Sequence, residues 1–354
     1  MNLERWLYAF NMGLTQLWKS RNTQFINRSN WPNGKFNIVV VKLDEIGDMA
    51  ATIHVFALLK QAFPLANITV LCKPFTATLL TDMDGFSGTV VHQTTDLPKT
   101  VDIWLELRGN WKTALLSVIR WPKFRADRGT IRFAQRGNQA HEIWTNYRVI
   151  QPLLPNQWQY SSWEEWLNKG MEFMNYRPNS TIVESVNQRV QSWGKFAIIH
   201  PAARRILRQW NPERFAEIAN YISEAYQLTP VLVGTPDEAP ILNRISELSP
   251  RCIQWINTEG ISTLCAVLTK AQLFVGNESG PLQLAGICTV PRVGIFGPGV
   301  PHVFYPVGAK AQLVHEILDC NPCDQVNCKF ADNPCIQRIG VERVKKAIDL
   351  VLAN

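Results

Sequence analysis

Hydrophobic positions along this chain fall into two kinds of pattern. Over residues 1–35, Leu3, Leu7, Phe10, Leu14 and Leu17 recur at helical spacing, with Trp6 and Trp18 beside them and Arg5, Lys19 and Arg21 flanking. This predicts an amphipathic helix, either docked on the body of the protein or lying at a membrane surface. The run Asn30-Trp31-Pro32-Asn33-Gly34 is turn chemistry and ends the segment. From residue 36 short β-branched runs alternate with helical periods. The run at 37–41 reads as a buried parallel strand, those at 68–72 and 101–107 as further strands, and a helix over 49–63 stops before Pro64. Residues 151–180, rich in Trp, Asn, Gln and Pro, lose the alternation and read as a connection between domains.

Alternation then restarts. Strands are predicted at 196–200, 228–233, 273–276 and 293–296. Helices are predicted from Asn211-Pro212-Glu213, where Asn is the N-cap and Pro the first helical residue, after Pro236, near Ser279-Gly280-Pro281, and over 341–352. The fold class is α/β, with two Rossmann-like doubly wound domains facing across a cleft. The expected divisions are an N-terminal extension (1–35), a first domain (36–178) and a second (179–354).

Composition narrows the class. The chain has 354 residues, enough for two domains, and 46% hydrophobic against 18% charged residues rules out a disordered or fibrous chain. No run of about 18 apolar residues is present, so no spanning helix is expected. The N-terminus reads without a secretory signal. The net charge is +7, and its placement matters more than its size: nine Lys/Arg lie between Arg108 and Arg148 (Lys112, Arg120, Lys123, Arg125, Arg128, Arg132 and Arg136 among them), against Asp127 and Glu142. Such a patch suits an anionic partner, or is simply a solvated basic face. No nucleic-acid-binding module accompanies it. Cys72, Cys252, Cys265 and Cys288 sit in apolar runs and read as core thiols of a reduced protein.

Four places carry candidate chemistry. Asp48 follows Gly47 just beyond the first strand, where a carboxylate can cap the next helix or act as a general base in an α/β crevice. Arg204, Arg205 and Arg208 lie in the loop after the strand ending at His200 and suit a diphosphate, or are plain surface arginines. The turn Gly276-Asn277-Glu278-Ser279-Gly280-Pro281 opens a helix whose first N–H groups form an anion site, while Glu278 would accept sugar or ribose hydroxyls. There is neither a G-x-G-x-x-G nor a Walker A sequence. Finally, Cys320, Cys323, Cys328 and Cys335 crowd into sixteen residues, as a structural metal site, free thiols or disulfides.

Taken together, these segments resemble glycosyltransferase family 9, the lipopolysaccharide heptosyltransferase family. VVVKLDEIGDMAATIHVFALLKQAFP looks like the family's first signature, HPAARRILRQWNPERFAEIA its second, VGTPDE its third and LFVGNESGPLQLAGICTVPRVGIFGP its fourth. The resemblance implies a GT-B fold and an inverting transferase that needs no metal and no cofactor. The donor would be a nucleotide-diphosphate sugar, ADP-heptose in characterised members, and the acceptor an anionic lipid-linked saccharide. It implies Asp48 as base and Arg208 as stabiliser of the leaving diphosphate. It places Glu238, Asn277, Glu278, Ser279, Gly280, Pro281 and Gln283 on the donor, and Arg108, Asn110 and Lys112 on the acceptor. It also implies a cytoplasmic protein held peripherally at the inner membrane face. Other GT-B activities, such as nucleotide-sugar epimerisation, or a non-catalytic binding relative, remain alternatives. Three positions depart from the family pattern and bear on which sugar is used: Gln283 stands for the usual His, Glu278 for the commoner Asp, and Ala202-Ala203 offer no hydroxyl.

Overall fold

The computed structural model describes residues 3–26, 34–135, 140–323 and 325–353, of which 3–12 as backbone only. The expected turn at 30–33, Arg136 and the side chains of Leu3, Trp6, Leu7 and Phe10 lie outside the described residues. The chain forms two compact units, residues 1–174 and 175–354.

The first unit is built on five parallel strands: β1 (Asn37–Lys42), β2 (Asn67–Cys72), β3 (Thr89–Val91), β4 (Ile103–Arg108) and β5 (Phe124–Asp127), in the order β3-β2-β1-β4-β5. The second holds six: β6 (Phe196–His200), β7 (Thr229–Gly234), β8 (Ile253–Ile256), β9 (Leu273–Asn277), β10 (Arg292–Phe296) and β11 (Ala311–His315), in the order β11-β10-β9-β6-β7-β8, again all parallel. Both orders are doubly wound. Each reverses direction once, between β1 and β4 in one unit and between β6 and β9 in the other. A crevice at the carboxyl ends of those strands is where such sheets bind ligands. The central strands are β-branched and shielded on both faces: Ile38, Val39, Val40 and Val41 are all fully buried.

The predicted helix over 49–63 is two helices, Ile46–Ala50 and Ile53–Ala62. The break has a local cause. Thr52 Oγ1 donates back to the Asp48 carbonyl at 2.8 Å, and the Asn146 amide donates to the Ala51 carbonyl at 3.3 Å, so both carbonyls find partners outside the helical ladder. The short first helix carries Asp48.

Residues 151–174, read as a connection, pack into the first unit as short 3-10 turns and a helix, Trp163–Lys169. Their aromatics explain this. Trp166 is fully buried, stacked on Trp163 at 5.4 Å and edge-on to His54 at 5.4 Å, while Trp163 stacks on His141 at 5.0 Å.

The N-terminal helix, Leu3–Ile26, docks on protein along one side. Trp18 and Phe25 are buried, and Trp18 Nε1 donates to the Pro122 carbonyl at 2.9 Å. Asn22 bonds both the N–H and the carbonyl of Arg125 on β5, at 3.0 and 2.8 Å. One amide side chain thus does for this edge strand what a neighbouring strand would do.

Candidate active site

At the reversal point of the first sheet, the ends of β1 and β4 carry a buried ionic cluster. Lys42, the last residue of β1, is fully buried, with its Nζ 2.9 Å from Asp44 Oδ2 and 3.7 Å from Glu142 Oε1. Glu142 is clamped by Arg128 at 2.6 Å and Arg132 at 2.7 Å, and Arg108 Nε lies 3.3 Å from Asp44 Oδ1. Asp48 joins this cluster: carboxylate oxygens of Asp44, Asp48 and Glu142 lie within 4.8 Å of one another. Three carboxylates at that spacing could hold a cation; here Lys42 and three arginines already meet two of them.

Asp48 and Glu142 are shifted in opposite directions. Burial pushes Glu142 up, but Arg128, Lys42 and Arg132 outweigh it and hold the carboxyl at about 2. Burial and the Asp44 charge push Asp48 up against Lys42, to about 6. Asp48 is therefore a carboxylate at neutral pH with unusual proton affinity, the property a general base needs.

This cluster divides the basic patch. Arg128 and Arg132 turn inward to Glu142; Arg125 is buried beside Glu106 and Asp127; Lys123 pairs with Asp102 at 2.7 Å. Of the expected acceptor-side residues, Arg108 borders the cluster. Asn110 is the N-cap of the helix Trp111–Arg120, its Oδ1 accepting from the N–H groups of Lys112 (2.9 Å) and Thr113 (3.2 Å). Lys112 is exposed, its ammonium 5.7 Å from the Trp111 ring centre.

The reversal point of the second sheet lies between His200 and Asn277. Asn277 is fully buried and spends both ends of its amide on the loop after β6: its Oδ1 accepts from Trp210 N (3.1 Å) and its Nδ2 donates to the Pro201 carbonyl (2.6 Å). Its contribution is to hold the arginine loop, with one hydrogen bond made at each end of the amide. Arg208 reaches Glu278 Oε1 at 3.2 Å through one terminal nitrogen, and its Nε donates to Gln325 Oε1. The other Glu278 oxygen, Oε2, is buried without a hydrogen-bond partner, and burial pushes the carboxyl up against the pull of Arg208. A buried acceptor left open in this way is set for a hydroxyl. Gly299 makes the room, since a Cβ there would lie 1.8 Å from Glu278 Oε2.

Ser279 precedes the helix Gly280–Ile287, whose second residue is Pro281. Its hydroxyl does not cap that helix but meets His200 Nδ1 at 3.3 Å. His200 Nε2 in turn lies 3.7 Å from Glu238 Oε2, which also accepts from Thr235 N at 2.8 Å. Burial works against Glu238, but these contacts hold its carboxyl below the usual range. Gln283 donates to the Phe304 carbonyl at 2.8 Å.

The four clustered cysteines are free and line one cavity of about 370 Å³ with Leu207, Pro298 and Asn333. Among the described residues, only the Asp44–Asp48–Glu142 group places three potential ligands within 4.8 Å. The structure thus gathers the thiols around one space without setting them at ligand spacing. The same segment supports the arginine loop, through Gln325 to Arg208 and through Asn333 Nδ2 to the Leu207 carbonyl at 3.0 Å.

Sequence reasoning missed Lys42, Glu142, His200 and Gln325. Lys42 had a readable signal, a lysine closing an otherwise apolar strand. Glu142 had none, lying a hundred residues away in sequence.

Each candidate site thus lies at the strand ends of its own Rossmann-like unit. The chain belongs to glycosyltransferase family 9, the heptosyltransferase family, whose model matches residues 97–333. It is 28% identical over 151 residues to lipooligosaccharide heptosyltransferase 2 of Campylobacter jejuni, a match covering 42% of this chain and 47% of that protein. The chain thus spans about half the length of that curated relative. Among solved structures it is similar to the family 9 glycosyltransferase of Veillonella parvula, with a TM-score of 0.71 and 17% identity, covering 90% of this chain and 97% of that one. It is also similar to the ADP-heptose lipopolysaccharide heptosyltransferase II of Escherichia coli, with a TM-score of 0.65 and 18% identity over 90% and 98% of the two chains. The fold is GT-B.

Proposed function

We propose that the protein transfers a heptose or closely related sugar from a nucleotide-diphosphate donor, ADP-heptose in the first instance, to a hydroxyl of a lipooligosaccharide-type acceptor, inverting the anomeric centre. The observation that carries this reading is Asp48, a carboxylate held near pH 6 at the reversal point of its sheet. Asp48 takes the proton from the acceptor hydroxyl as that oxygen bonds to the anomeric carbon. The bond from that carbon to the diphosphate breaks, and the nucleotide diphosphate leaves with the electron pair. Arg208 and the first N–H groups of the helix Gly280–Ile287 receive the charge that develops on it. Glu278 Oε2 and Glu238 accept donor hydroxyls. Every step as written uses the chain's own side chains and backbone N–H groups. Family membership and the donor named for the Escherichia coli relative support the sugar class. The work would take place in the cytoplasm against the inner membrane face, where such acceptors are built.

The test is incubation with ADP-heptose, and in parallel GDP-, UDP- and dTDP-sugars, together with a heptose-deficient lipooligosaccharide. The expected result is ADP release matched by an acceptor mass gain of one sugar. Conversion of donor alone, without acceptor, would replace this reading by epimerisation. Binding with no turnover would replace it by a non-catalytic role.

A smaller test concerns Gly299. In Gly299→Ala the new Cβ must displace the Glu278 carboxylate, the movable end of a side chain, so the fold survives while one charged hydrogen bond to donor is lost. Donor affinity falls about ten- to a hundredfold by titration, and the melting temperature without ligand changes little.

A further inference from the structure

The helix Trp111–Arg120 is built inside out. Its fully buried positions are Thr113, Ala114 and Ser117, and Leu116 alone packs its bulk, half-buried, against the neighbouring core cluster. Two of them serve a polar network: Thr113 Oγ1 donates to Glu106 Oε1 at 2.9 Å, and Arg125 Nε donates to Ser117 Oγ at 2.9 Å. The outward positions carry the bulk. Trp111, Leu115 and Ile119 stand one helical turn apart on one face and are 54%, 45% and 66% exposed. Together they form an apolar stripe about 12 Å long. A surface helix normally faces the other way, with its apolar stripe on the core.

Trp121 extends the stripe at its C-terminal end. It is 52% exposed and closes the helix at φ 47°, a left-handed position that glycine ordinarily fills at lower cost. Its ring rests on buried Trp18 at 4.6 Å. On the neighbouring N-terminal helix, Leu17 stands 66% exposed.

The surroundings of this stripe are basic. Residues 111–126 and 13–26 contain no Asp or Glu; Lys112, Arg120, Lys19 and Arg21 remain beside the stripe, whereas Lys123 is paired with Asp102 and Arg125 is buried. A cation sits over each terminal tryptophan: Lys112 by Trp111 at 5.7 Å and Arg21 over Trp121 at 5.2 Å. Tryptophan paired with a cation at both ends of an apolar stripe suits the boundary between acyl chains and phosphate headgroups. A second copy of this chain would bring another acid-free basic fringe against the first, and the like charges would repel.

We propose that Trp111, Leu115, Ile119 and Trp121, with Leu17 beside them, form a face that inserts into the surface of an anionic bilayer. The stripe enters the headgroup–acyl boundary, and Lys112, Arg120, Lys19 and Arg21 lie among the lipid phosphates. Arg108, Asn110 and Lys112 lie at or just before the start of the same helix. Where the function proposed above holds, docking brings that acceptor side to the surface where a lipid-linked saccharide resides. The docking itself does not rest on that function, and its test uses no substrate.

The experiment is co-sedimentation of the full chain with vesicles of phosphatidylcholine alone or mixed with phosphatidylglycerol, at low and high salt. Tryptophan emission is followed in parallel. The protein should bind the anionic vesicles with a blue shift and more weakly as salt rises, and should largely ignore phosphatidylcholine. The double variant Leu115→Asp/Ile119→Asp changes only outward positions. Its melting temperature and far-UV spectrum should match the parent, while vesicle partitioning falls about a hundredfold. Three outcomes would overturn the proposal: a parent protein that stays in the supernatant, a folded double variant that binds as well as the parent, or a parent dimer that the variant splits with no vesicle binding in either.

Discussion

An Asp48→Asn protein is expected to be nearly inactive and more stable than the parent. Loss of the proposed general base should remove about 10² to 10⁴ from kcat, with little change in donor affinity, since Asp48 stands on the other unit from the residues proposed to hold the donor. The stability gain follows from the same burial that tunes the base. A carboxyl whose folded pKa lies above its ordinary value binds a proton more tightly in the fold than in the unfolded chain, so stability falls as pH rises from 3.8 through about 6. At neutral pH the full penalty is present, roughly 3 kcal/mol, and a neutral amide removes it. The first unit should therefore melt several degrees higher at pH 7.5, measured by calorimetry. In the parent, kcat/KM should rise with pH through an inflection near 6. Below that pH the stability comparison is less direct. His54 is held neutral by burial, its pKa lowered to about 3, and Glu142 is held at about 2, and both favour the folded state less as pH falls. An Asp48→Asn protein that retains a tenth of the parent rate would remove Asp48 from the mechanism.

Arg208→Ala should strike the leaving group. One preorganised cation at a developing charge is worth about 10² to 10³ in kcat. Here the loss is compounded, because Glu278 would remain buried without its counter-charge, would hold its proton more tightly and would accept donor hydroxyls less well. Arg208→Lys restores the charge but not the two-sided hold between Glu278 and Gln325, and should recover only part of the rate. Gln325→Ala separates position from charge. It keeps the guanidinium and frees its far side, so kcat should fall roughly tenfold while the rate stays far above that of Arg208→Ala. Equal rates for Gln325→Ala and the parent would show that the cysteine-rich segment plays no part in holding Arg208.

The central strands were legible because they are buried on both faces, and such strands must be written in β-branched residues: 37–41 and 196–200 read directly as β1 and β6. The edge strands were not. β3 is three residues long, and β5 reads Phe-Arg-Ala-Asp, a sequence that makes sense only once the amide of Asn22 is found pairing with its backbone. The segments bearing Asp48, Arg208 and Glu278 were also legible, since each belongs to the connection that leaves the carboxyl end of a strand. What each side chain does there was less so. Asn110 and Asn277 were read as facing ligands; the structure adds that Asn110 Oδ1 caps a helix and that the Asn277 amide holds a loop, choices set by backbone geometry that composition does not reveal. The outward stripe on Trp111–Arg120 was hidden for the opposite reason: an apolar period does not say which side of a helix meets the core.

The two sheets each complete their own reversal point from their own strands, so each candidate site is inherited with one half of the chain. Under the proposed function, substitutions around 200–208, 238, 278 and 299 would alter donor choice and leave the residues around 42–48 and 108–112 untouched, and the converse would hold for the acceptor. Recombination near residue 175 would then join two existing specificities in a single event.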